Sequence, residues 1–177
     1  MRWNVLVGLL LAVVMGMSGC SPSRMVLKEK CPDLREVKPP AGKAALVVGR
    51  TTSFGGAVNI DNYVDRKFTG TTRGRGFFTS VVEPGQHYAI ADAENFYALL
   101  LNFEPDKTYY LQQDVKLGLL SARTAYIALD SKKMYEEMDG DCQFYELDSG
   151  ANVPDLKEDK FNDIVANYKK EHPEEKK

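Results

Sequence analysis

Between Ala44 and Leu129 the chain runs in short apolar stretches broken by polar or Gly/Pro-containing ones. Ala44–Arg50 is a run rich in valine and leucine, and Val58–Asp61 alternates and continues through Tyr63-Val64. Gly76–Val82, His87–Ala91, Phe96–Phe103, Thr108–Val115 and Ala122–Leu129 follow. In Thr108–Val115, Tyr109, Leu111 and Val115 share one face while Gln112 and Asp114 share the other, a period of two that predicts a strand. The separators are turn sequences. Thr51–Gly56 reads as a loop and Asp65-Arg66-Lys67 as a tight polar turn. In Glu83-Pro84-Gly85-Gln86, proline suits the second turn position and glycine supplies a positive φ at the third. Glu104-Pro105-Asp106-Lys107 is another Pro-led turn. About seven short strands, with a turn signal roughly every ten residues, predict an all-β domain: an antiparallel β-sandwich of Ig-like or transthyretin-like type. Phe96–Phe103 is apolar enough to predict a strand buried on both faces, or otherwise a partner surface.

After Leu129 the period changes. Asp130–Met138 places Met134 and Met138 four apart, as on a helix, with Ser131 as its cap. Pro154 opens a second helix, where Asp155 and Glu158 imitate a capping box. Phe161, Ile164, Val165 and Tyr168 form a stripe at helical spacing, predicting a C-terminal α-helix docked on the sandwich or offered to a partner. Upstream, Ser21–Pro40 carries Pro22, Pro32, Pro39 and Pro40 among charges and reads as a tether. With Cys31 pinned, about ten free residues would reach roughly 35 Å. The organisation predicted is a signal peptide at 1–19, a tether at 20–40, the β-sandwich at 41–130 and a helical extension at 131–177.

The first residues explain that signal. Arg2 precedes an uncharged run from Val5 to Met17, about 20 Å long as a helix and short of the ~30 Å bilayer core. A basic start, a short apolar run and then small residues describe a secretory signal peptide. Met17-Ser18-Gly19-Cys20 resembles the bacterial lipobox, which implies cleavage before Cys20 and acylation of that cysteine. Ser21 after it, by resemblance to enterobacterial sorting, implies the outer membrane, facing the periplasm. The remaining cysteines, Cys31 and Cys142, would sit in an oxidising compartment, where two thiols usually pair. The alternative is two unpaired thiols. No Cys-x-x-Cys spacing marks a redox pair.

Several motifs in order carry a family resemblance. They are Pro40-Ala41-Gly42-Lys43-Ala44, Val64-Asp65-Arg66-Lys67, Phe77-Phe78, Glu83-Pro84-Gly85-Gln86-His87 and Lys107-Thr108-Tyr109-Tyr110-Leu111. Together, over Pro40–Leu129, they resemble a family of bacterial envelope lipoproteins known only as a domain of unknown function. The Pro-Gly-x-His turn is also similar to PEGA-type surface β-domains. Arg66 and Asp106 stand where that pattern has glycine. The resemblance implies a small β-sandwich on a lipid anchor and brings no catalytic residues.

Composition narrows the chemistry further. Lys+Arg is 23 against Asp+Glu 25, a formal charge of −2, without the basic excess a nucleic-acid binder needs. The two histidines, His87 and His172, are far apart, and three cysteines supply a zinc site poorly. Asp139, Asp141 and Asp148 lack the ligand spacing of a calcium loop. Ser80 has no nucleophile-elbow frame, and His87 as a general base would need an orienting carboxylate and a pocket. Neither a catalytic constellation, a metal site nor a cofactor is predicted. Arg73 and Arg75, in Arg73-Gly74-Arg75-Gly76, and the Phe161/Ile164/Val165/Tyr168 stripe are the candidate binding surface. The function expected is a lipid-anchored, non-catalytic β-domain that binds an envelope protein or polymer. The alternatives are a small-ligand carrier with a pocket between the sheets and, least favoured, a His87 hydrolase.

Overall fold

The run Ala44–Gly49 is apolar at every position because it is buried at every position, as expected of a strand covered on both faces. It forms β2 at the centre of the molecule. The computed structural model describes residues 24–54, 56–117, 122–138 and 143–173. Among them the strands are β1 (Met25–Leu27), β2, β3 (Ile60–Val64), β4 (Lys67–Thr72), β5 (Gly76–Val82), β6 (Gly85–Asp92), β7 (Phe96–Phe103), β8 (Thr108–Leu117), β9 (Ala122–Leu129) and β10 (Gln143–Leu147). Two helices, α1 (Ser131–Met138) and α2 (Glu158–Glu171), complete them. One sheet has the order β1-β10-β5-β2-β8-β9 and the other β4-β3-β6-β7.

The two sheets face each other across Leu46, Val48, Ile60, Phe78, Ala89, Phe103 and Leu111. Outside the larger sheet, Val47 and Phe77 pack on Leu34, Met134, Met138 and Phe144. Outside the smaller one, Tyr63, Phe68 and Ile90 pack on Leu156 and Ile164. The protein is therefore a β-sandwich with a helical layer on each side, α2 at its C-terminal end.

The sandwich is not purely antiparallel. β3–β4, β6–β7 and β8–β9 are antiparallel neighbours in sequence and in space. β2 lies parallel to β8, and β10 parallel to β5. The chain leaves the larger sheet after β2 and again after β5 to build the smaller one, so returning strands enter beside partners distant in sequence.

The boundaries drawn from composition also shift. The segment 20–40 is not merely a tether. It supplies β1 and a 3-10 turn at Leu34–Glu36, with Leu34 only 1% exposed. Tyr110 Oη and Thr108 Oγ1 donate to the Leu34 and Val37 carbonyls, each at 2.7 Å. Its prolines lie outside β1 and so remove no ladder donor from it. The extension 131–177 likewise returns β10 to the larger sheet.

The turns follow their sequence signals. Gly85 has φ +129°, and Asp106, at a glycine position of the resembled family, has φ +61°. In the β3–β4 turn the positive φ falls on Asp65 (+53°) rather than Arg66.

The caps differ from expectation. Asp130, not Ser131, caps α1, its Oδ1 accepting from Lys133 N at 2.7 Å. α2 begins only at Glu158, after Lys157, which makes no side-chain cap bond. Asp155 is instead turned to β4, where its Oδ1 accepts from Phe68 N at 3.4 Å.

β7 is covered on both faces, as its sequence predicts, but only in part. Tyr97, Leu99 and Leu101 pack on the inter-sheet core and Phe96 and Ala98 on the α2 side. As an edge strand it remains half-buried along most of its length.

Candidate functional site

A ligand carrier of this fold would hold its cargo between the sheets. At one end it is closed by polar side chains that bond to one another. Asn62 on β3 and Thr72 on β4 face Gln113 on β8 and Tyr126 on β9, all buried. Gln113 Nε2 donates to Asn62 Oδ1 at 2.8 Å, and Tyr126 Oη donates to the same oxygen at 2.5 Å. Thr72 Oγ1 donates to Gln113 Oε1, while Asn62 Nδ2 donates to the Ile60 carbonyl at 2.9 Å. Burial pushes the Tyr126 phenol far up, against a smaller opposing effect of the neighbouring Gln113 side chain, so it acts as a fixed hydroxyl donor. A buried network with its bonds made rigidifies the core, whereas one unpaired member is costly. Gln113 falls on the apolar face of the Thr108–Val115 alternation, so its position was visible in the sequence and its partners were not.

His87 has the orienting carboxylate a general base needs. Its Nδ1 lies 2.7 Å from Asp65 Oδ2, and Asp65 Oδ1 accepts from Tyr88 N at 2.9 Å. The other ring nitrogen, Nε2, is buried without a hydrogen-bond partner among the described residues. The imidazole lies 6.0 Å from the Phe103 ring, and Nε2 is the nearest atom to where a Cβ on Gly85 would stand. The pair fastens the strained Asp65 turn onto β6. No hydroxyl or thiol is bonded to Nε2 among the described residues.

The residues named as a candidate binding surface lie on two separate elements, the β4–β5 turn and α2. Arg73 is exposed, but Arg75 Nη2 donates to the Glu137 carbonyl at 2.7 Å, satisfying the last turn of α1. Ile164 and Tyr168 are buried, and Phe161 packs with them against Tyr88, edge to face. Val165 is half-buried. The stripe is therefore spent on docking α2 to the smaller sheet.

Beside that stripe lies a feature not legible in the sequence. A cleft of about 280 Å³ runs between β7 and α2, lined by Phe96, Tyr97, Lys160, Asn167, Glu171 and His172 among others. Lys160 Nζ sits 4.3 Å from the centre of the Phe96 ring, a cation–π contact. His172 stacks on Tyr168 at 4.2 Å.

Near the cleft, Asp61 and Asp92 stand opposite each other on β3 and β6. Asp61 is held by Arg24 Nη1 and Thr71 Oγ1, each at 2.6 Å. Burial, then repulsion from Asp61, raises the Asp92 pKa, partly offset by Lys160. A raised carboxyl pKa means that folding favours the protonated form. The cost is absent below the unfolded carboxylate range and grows as pH rises through the raised value. Asp92→Asn is therefore expected to melt above the parent at pH 7 and level with it near pH 3, as thermal scans at the two pH values will show.

Among the described residues there is no group of His, Cys, Asp or Glu suited to a metal, and no helix is long and apolar enough to cross a membrane. Comparison with known proteins finds one informative likeness. An uncharacterized protein of Haemophilus influenzae is 26% identical over 112 residues, covering 62% of this chain and 67% of that protein. No family model matches the chain, and no solved structure matches it.

Proposed function

We propose that the chain is a lipid-anchored bacterial envelope protein whose β-sandwich binds a protein or envelope polymer without catalysing a reaction. The anchor rests on the order of basic start, apolar run, small residues and Cys20. The finer placement, at the outer membrane facing the periplasm, rests on Ser21. The observation that carries the binding reading over a carrier is the closed inter-sheet space. Phe78, Phe103 and Leu111 fill it, and the Asn62–Gln113–Tyr126 bonds tie its two walls. A ligand would have to break those bonds, whereas the cleft between β7 and α2 opens outward and needs no rearrangement.

We also infer that Cys31 pairs with Cys142. The pairing is supported by where the chain carries the two cysteines. Cys31 lies four residues past β1, and Cys142, outside the described residues, immediately precedes β10, the strand β1 pairs with.

The binding reading is tested in cells with a photo-crosslinking residue at the exposed Asn167 beside the cleft, and at Ile127 on β9 as control. Adducts at Asn167 that are absent at Ile127 are expected. A small apolar molecule co-purifying at one per chain, with no adduct at Asn167, would establish the carrier instead.

A further inference from the structure

Large exposed apolar side chains collect at one edge of the larger sheet. Val26 is 46% exposed, Leu27 55% and Leu147 47%. Val26 and Leu27 lie on β1, the outermost strand, and Leu147 is the register partner of Met25 on β10. Among the described residues no further strand pairs outside β1, and an edge that carries exposed apolar side chains is a liability that proteins normally blunt or cover.

Where the chain enters this edge identifies the cover. Only four residues, Ser21 to Arg24, separate Cys20 from Met25. Fully extended, that link spans about 17 Å, roughly half the reach expected of an unstructured tether. The strand pinned nearest the anchor is thus the one that exposes Val26 and Leu27. The charges around it are balanced: Arg24 pairs with Asp61, Lys28 with Glu146, and Glu29 stands next to Lys30.

We infer that the β1/β10 edge rests on the lipid bilayer, with Val26, Leu27 and Leu147 entering the interface between headgroups and acyl chains. The inference builds on the Cys20 anchor and adds an orientation to it. Because the edge is electrically balanced, the contact is to the apolar part of the interface and not to anionic headgroups. The domain then lies against the membrane, with β9, at the other end of the sheet, held away from it.

The test uses the lipidated protein in phosphatidylcholine vesicles with brominated acyl chains. Trp3 is the sole tryptophan and lies in the segment predicted to be removed, so Leu147→Trp introduces a single reporter at the edge. Ile127→Trp, at an equally exposed site on β9 (45%), is the control. Bromolipid is expected to quench at least about half of the Leu147→Trp emission and leave Ile127→Trp unchanged, with no effect of adding about one third anionic lipid. Unquenched Leu147→Trp emission from protein that floats with the vesicles overturns the docking and leaves the anchor standing. If β1 edges of two copies crosslink under those conditions, a second copy is the cover. Protein that fails to float overturns the anchor itself.

Discussion

Cys20→Ser is expected to leave the protein unlipidated and to move it from the membrane fraction to the soluble fraction. Several acyl chains on one cysteine give stable attachment, since each buried methylene contributes about 0.8 kcal/mol and a single chain is only marginal. The β1/β10 edge does not replace them. Three side chains that are half exposed can gain on the order of 3 kcal/mol together by burial, weaker than millimolar affinity before any cost of ordering the protein. The docking therefore orients an anchored domain and cannot hold a free one. Cell fractionation and gel mobility decide the matter. A Cys20→Ser protein that stays in the membrane with the parent's mobility would show that no lipid is attached there.

The second large effect is expected from the bridge between Cys31 and Cys142. If formed, it would close a loop of more than a hundred residues, for which the chain-entropy relation gives about 4–5 kcal/mol. At this size of domain that corresponds to a fall of roughly 10–15 °C in melting temperature for the double Cys→Ser variant. The domain should still fold at room temperature, because the core of Leu46, Val48, Phe78 and Phe103 does not depend on the bridge. Intact mass after alkylation, with and without reduction, reports the bond directly. Two alkylated thiols in unreduced protein would exclude it, and an unchanged melting temperature in the double variant would leave it no structural role.

The sequence is legible where the local chain alone decides the outcome. Pro84-Gly85 turned where its φ requirement said it would, and the alternation from Thr108 put Leu111 and Val115 inside. The apolar stripe of α2 did cover a sheet. What was missed depends on partners far along the chain. β1 is three residues long among charges and prolines, with no periodicity to reveal it, and only β10 makes it a strand. The parallel pairs β2–β8 and β10–β5 come from excursions between sheets that no turn signal announces. Asp65 and His87 are ordinary polar residues in sequence and become a dyad only when β3 and β6 pair. The α2 stripe carried a periodicity shared by a docking face and a partner face. Its neighbours Tyr88 and Phe96, which settle the choice, sit on strands that pattern alone does not bring under it.

The pairing of β1 with β10 also governs the time course of folding. Met25 and Leu147 are partners about 120 positions apart, and contacts of such separation form slowly because loop closure precedes any reward. β10 also lies between β1 and β5, so the first strand has no seat until the last strand has arrived. A chain emerging N-terminus first would thus be completed late, and, anchored through Cys20 as proposed, it would be tethered before it is complete. In the interval, Val26, Leu27 and the vacant side of β5 would be open to neighbouring chains. Protection by a holdase chaperone would matter most in that interval, and a truncation before Gln143 would prolong it indefinitely.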